Sequence, residues 1–142
     1  MDDVRAVPTI SYVAARRVIA AAVEYAAAEG VSFCIAVCDP GGNLVTFARM
    51  DGAPLLSAKI SEDKAYTVAA FRGVPTASWY PMIKDEPSLL TGIVHRDRLV
   101  VFGGGVPLLV DGQLVGAIGV SGGSAEQDVR CATAGAAALS TP

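Results

Sequence analysis

The sequence predicts an α+β fold: one antiparallel sheet of about five strands with helices packed against it, in a single domain over residues 1–142. Three observations predict it. Gly116-Ala-Ile-Gly-Val-Ser-Gly-Gly123 reads as the end of a buried strand over 114–120 that passes through small residues into a helix starting near Ser124. Asp111-Gly112, set between two apolar runs, is a two-residue hairpin signal. Near the N-terminus, Ile10, Ala14, Val18, Ala21 and Tyr25 recur at helical spacing. At 142 residues the chain is long enough for one buried core.

Taken in order, the first helix is expected over 11–29, with Thr9 or Ser11 as cap, Pro8 ahead of it and Gly30 ending it. Its stripe is rich in alanine, which permits close packing. The apolar run 31–38 has strand length, Asp39-Pro-Gly-Gly42 is a turn by composition, and 43–49 returns as an antiparallel partner. Asp51-Gly-Ala-Pro54 breaks the chain before a helix capped by Ser57 that runs to about Phe71. Residues 76–84 read as a short helix or irregular segment bounded by prolines, and 85–98 as an exposed loop. A short strand over 99–102, a bend at Gly103-Gly-Gly105, and strands over 106–110 and 113–120 form a meander. Ser124 and Gln127 have the spacing of a capping box for a last helix that ends near Leu139.

Composition narrows the functional classes. The chain is 52% hydrophobic and 18% charged, with a mean hydropathy of +0.46. No run approaches the roughly 18 apolar residues of a spanning helix; the best candidate, 18–28, is interrupted by Glu24. The surplus apolar surface therefore predicts a homo-oligomer rather than a membrane protein. The net charge of −3 and scattered basic residues argue against a nucleic-acid partner. Met1-Asp-Asp-Val-Arg lacks the basic-then-apolar order of an export signal, so a cytoplasmic protein is expected. Cys34 and Cys38 share one strand face, Cys131 falls on the last helix, and no Cys/His metal spacing occurs. These read as packed thiols in a reducing compartment, with no metal site.

Several short motifs fail their own chemistry. Gly119-Val-Ser-Gly-Gly123 matches a nucleophile elbow, but no histidine follows Ser121 to serve as base. Ser61-Glu-Asp-Lys64 and His95-Arg-Asp97 lack the companion motifs of the enzyme classes that use them, and Gly116, Gly119 and Gly122 are spaced wrongly for a dinucleotide fingerprint. A strand entering a helix through glycines does leave backbone N–H groups bare for an anion. Arg49, Asp51 and Lys64 are then candidates for a cationic lip beside that corner, with Asp128 in the first turn of the last helix. His95 is the one side chain that titrates near neutrality when unperturbed.

Arg49-Met-Asp-Gly-Ala53, Lys64-Ala-Tyr-Thr67 with Phe71 and Pro75-Thr76, Phe102-Gly-Gly-Gly-Val-Pro107, and the run 116–123 with Gln127-Asp128 together resemble the GlcG/HbpS family over about residues 9–139. The resemblance implies a profilin-like fold and assembly into dimers up to octamers. It also implies haem as a possible cofactor, since some members bind haem while others accompany organic-acid catabolism. Members with a histidine haem ligand carry it near the first helix; here 9–29 contains none. Candidate axial ligands are His95, Tyr12, Tyr25, Cys34, Cys38 and Met82.

The expected function is a small binding protein for haem or another carboxylate-bearing molecule. Arg49 and Lys64 would meet the carboxylate, with Asp51 and Asp128 beside them. Ser121, Gly122, Gly123 and Gly104 would supply backbone, and Phe102 would line the slot. The alternative is a lyase or isomerase on a small organic acid, with Lys64 or His95 moving a proton. A structural oligomer without a ligand is the third reading.

Overall fold

The computed structural model describes residues 3–139. Met1 and Asp2 of the N-terminal run, and the last three residues of the expected 1–142 domain, lie outside the described residues. Five helices and four strands follow in the order α1 Tyr12–Ala28, β1 Cys34–Cys38, β2 Leu44–Arg49, α2 Leu56–Ala70, α3 Trp79–Ile83, α4 Pro87–Gly92, β3 Gly105–Val110, β4 Gln113–Ser121 and α5 Ala125–Ala137. Short 3₁₀ turns at Thr76–Ser78 and Ile93–His95 precede α3 and follow α4. The sheet order is β2-β1-β4-β3, antiparallel throughout.

The architecture is the expected α+β arrangement, but the sheet has four strands, not about five. The segment 99–102 is not a strand because its backbone partners lie elsewhere. Val100 N donates to the Thr67 hydroxyl at 3.0 Å and Leu99 N to the Arg96 carbonyl at 3.4 Å. An apolar run of strand length becomes a strand only where a neighbouring edge is free to pair, and here a helix side chain takes that place.

Each sheet face buries a different layer. On one side Ile35, Val37, Ile118 and Val120 meet Ala15, Val18, Ala22 and Ala26 of α1 and Cys131 and Ala132 of α5. The buried stripe of α1 is thus rotated from the predicted one: Ala15 and Ala22 are buried where Ala14 and Ala21 were expected. Ser11 caps α1, accepting from Ala14 N at 3.1 Å. On the other side Ala36, Cys38 and Ala117 meet Ala65, Val68 and Ala69 of α2. That face is built of small residues, and α2 lies almost on the strands. A Cβ at Gly119 would collide with the Ser61 carbonyl and stand 2.6 Å from Ala65 N. Ser57 does not cap α2, as the sequence suggested; it is a buried residue of the first turn, and the position ahead of the helix, Leu55, makes no side-chain cap.

Asp111 and Gly112, both at positive φ, make the hairpin between β3 and β4. The segment 85–98, expected as a loop, contains α4, started by Pro87, and the 3₁₀ turn that carries His95. Among the described residues, no helix is long and apolar enough to cross a membrane.

Candidate functional site

The end of β4 and the start of α5 form a corner closed by a buried ion pair. Lys64, on α2, is fully buried, and its Nζ donates to the Val120 carbonyl at 2.8 Å and to Asp128 Oδ2 at 2.9 Å. The ring of Phe102 lies 5.0 Å from the same nitrogen, so its π face meets the ammonium from a further side. Asp128 Oδ1 accepts from Gly123 N at 3.0 Å. Burial pulls the Lys64 pKa down and pushes that of Asp128 up, while each charge partly restores the other. Ser124 and Gln127 complete a reciprocal capping box, Ser124 N donating to Gln127 Oε1 and Gln127 N to Ser124 Oγ. Gly104 has no room for a side chain, because its Cβ would strike Lys64 Nζ.

Lys64, Phe102, Gly104, Ser121, Gly122, Gly123 and Asp128, predicted as neighbours, thus converge on one corner. Their donors and charges answer one another: the amides of Gly123 and Ser124 are spent on Asp128 and Gln127, and Asp128 neutralises Lys64. Arg49 and Asp51 lie elsewhere, lining a hollow of about 440 Å³ with Val23, Ala48 and Met50.

A separate cleft of about 460 Å³ opens over the outer side of α2. Tyr66, Thr67, Ala70 and Phe71 form one wall, Trp79 and Leu99 another, and His95, Arg96 and Asp97 the rim. Phe71 and Trp79 pack with ring centroids 4.8 Å apart, tilted by 51°. Tyr66 is clamped: its ring stands against Gly42 in the β1–β2 turn on one side, and the Arg98 guanidinium sits 4.0 Å from its centroid. Arg98 is held in turn by Asp63 at 2.9 Å. Thr67 ties the rim to the helix, donating to the Arg98 carbonyl at 2.9 Å while accepting from Val100 N. The volume is that of a small-molecule or cofactor site, which runs from roughly 300 to 1,000 Å³. Trp79 is 4% exposed, and its Nε1 has no hydrogen-bond partner among the described residues.

Of the predicted site residues only His95 borders this cleft. Tyr66, Phe71, Trp79, Arg96 and Leu99 were not foreseen as site residues. The available signal was the bunching of Tyr66, Phe71, Trp79 and Tyr80 within a short stretch, followed by His95-Arg96. Among the described residues, no group of three His, Cys, Asp or Glu side chains could hold a metal ion.

Fold and cleft together define a small α+β protein that keeps its buried charges paired and turns a cofactor-sized aromatic cleft outward. The family model described as "Haem degrading protein HbpS-like" matches residues 10–137, and the chain belongs to that HbpS-like family. Protein GlcG of Escherichia coli K12 is 40% identical over 107 residues, covering 75% of this chain and 77% of GlcG. Among solved structures, the Klebsiella pneumoniae protein ORFY superposes with a TM-score of 0.92 at 32% identity, covering 100% of this chain and 98% of that one. A structure described as the PduOC:heme complex gives a TM-score of 0.82 at 32% identity, with coverage of 92% and 94%.

Proposed function

We propose that this protein binds haem as a small-molecule binding member of its family. The observation that carries the reading is the aromatic cleft. It offers apolar walls for a macrocycle, Arg96 for a propionate and the chain's one histidine at the rim. Membership of a family described as haem-degrading, and the likeness to a structure titled as a haem complex, support it. The lining fits the group: an imidazole and a guanidinium stand at the rim of a cavity walled by aromatic side chains. Bound haem would supply an iron centre for ligand binding and electron transfer. The protein's part is to shield one face with Tyr66, Phe71 and Trp79 and to hold the carboxylate edge at Arg96.

The corner residues play the supporting part in this proposal. Lys64 and Asp128 fix the junction of β4, α5 and α2, so the carboxylate expected at Lys64 and Arg49 is assigned to Arg96 instead. An organic-acid lyase or isomerase is the second reading, and the observation favouring it is that the His95 imidazole borders a ligand-sized cleft.

Titration of the purified protein with haemin tests the proposal. A saturable Soret band at one haem per chain, with a melting temperature that rises with haemin, is expected. A spectrum that stays that of free haemin, with no thermal shift, overturns it. Turnover of a small carboxylate that is lost in His95→Ala, without any haemin binding, favours the second reading.

A further inference from the structure

We infer that His95 is the axial ligand of the haem iron, and that the cleft between α2, α3 and the 3₁₀ turn Ile93–His95 is where the macrocycle sits. The inference rests on the haem-binding reading above and assigns its site.

The other candidate ligands are placed away from the cleft. Cys34 and Cys38 are buried in β1, Cys38 against α2, and Cys131 donates its Sγ–H to the Ala22 carbonyl at 3.3 Å inside the opposite layer. Burial pushes the thiols of Cys38 and Cys131 up to about 12, which disfavours the thiolate that binds iron. Tyr12 is on the exposed first turn of α1. Tyr25 borders a crevice of about 20 Å³, too small for any cofactor. Met82 is exposed on α3 and is not part of the cleft lining. Tyr66 does line the cleft, but it is wedged between Gly42 and Arg98. His95 remains, an exposed imidazole at the end of its 3₁₀ turn.

The surroundings suit the assignment independently. The rim is not a loose loop: the Thr67 hydroxyl bridges the Arg98 carbonyl and the Val100 amide, and the Asp63–Arg98 pair pins the same segment to α2. A ligand imidazole needs such a fixed base. Coordination is a simple exchange. A lone pair of neutral imidazole nitrogen binds ferric iron and displaces water, with no change in oxidation state.

The chain has one histidine, which makes the test clean. Tag-free protein is loaded with haemin, reduced, and examined by resonance Raman for the iron–histidine stretch, a signal only His95 can give. The expected result is that this band is present, is lost in His95→Ala and returns on adding imidazole, while haemin affinity falls at least tenfold. Arg96→Gln should weaken haemin binding about three- to tenfold with the band unchanged, and Tyr66→Phe should leave the band in place. His95→Gln serves as a second variant, and circular dichroism confirms that each is folded. Haemin bound by the wild type with a phenolate, thiolate or thioether signature, or with a spectrum identical in His95→Ala, overturns the assignment and leaves the haem reading standing. Failure of the wild type to bind haemin overturns both.

Discussion

Lys64 is a fully buried charge at the junction of three elements. It joins α2 to the last residues of β4 and to α5, and its ammonium meets a carbonyl, a carboxylate and an aromatic ring. A buried pair of this kind is costly to half-remove, because the remaining charge stays desolvated. Lys64→Met should therefore destabilise the protein by about 3–5 kcal/mol, and the double variant Lys64→Met/Asp128→Asn should lose less, since no charge is left alone. Urea denaturation of the four members of that cycle checks it, and a double variant as unstable as the sum of the singles would contradict it. The cysteines give a pH signature. The thiols of Cys38 and Cys131 are pushed up to about 12 by burial, against 9.0 for a free thiol. Between those values the unfolded chain releases protons that the folded one keeps, so stability falls as pH rises from about 9 towards 12. The slope is about 1.4 kcal/mol per pH unit for each thiol. Chemical denaturation from pH 8 to 11 should show this loss, and replacing both cysteines by alanine should flatten it. A slope unchanged by the replacement would place the cause elsewhere.

Helix α2 shows how one element sets both the packing and the site. Its inner side is laid so close to β4 that Gly119→Ala would push a methyl into the backbone of Ser61 and Ala65; about 3 kcal/mol or more of stability should be lost, readable in a thermal melt. Its outer side holds the cleft through Thr67. Thr67→Val keeps the shape but strips the hydroxyl from the Arg98 carbonyl and the Val100 amide. It should cost about 1–3 kcal/mol and, by freeing the rim, weaken haemin binding. Unchanged hydrogen-exchange protection at Val100 in that variant would refute the latch. The elements whose signals are local were readable from the chain. The Ser124–Gln127 capping box, the Asp111-Gly112 hairpin and the Ser11 cap all appear where their residue types place them. What was not readable depends on distant partners. The segment 99–102 is strand-like in isolation and is claimed by a threonine more than thirty residues away. The stripe of α1 slips because alanines flank alanines, so composition does not tell which of them faces the sheet.

For the molecule as a whole, the sheet and its two helical layers account for the apolar core, yet large apolar side chains remain outside. Leu55 and Leu56 are 76% and 74% exposed, and Tyr12, Val13 and Leu109 are also open. This supports the proposal that copies of the chain assemble; light scattering should give a mass that is a multiple of 14.5 kDa, and a mass of a single chain would contradict it. The candidate site divides along the same line of legibility. The glycine corner could be read from its motif, with Lys64 and Asp128 placed beside it, but the ion pair between those two is a finding of the structure. Their mutual neutralisation could not be read, because spacing does not say whether a lysine faces a guest or an aspartate. The cleft was hidden more fully, being assembled from α2, α3 and the rim, three segments that meet only in the fold. The central claim is that haem lies in that cleft with its iron at His95. Crystals of the haem-loaded protein, measured at the iron absorption edge, test it most directly. The account predicts one anomalous peak per chain within coordination distance of the His95 imidazole, inside the cleft lined by Tyr66, Phe71 and Trp79. A peak beside Arg49, at the glycine corner, or bound to any other side chain would contradict it.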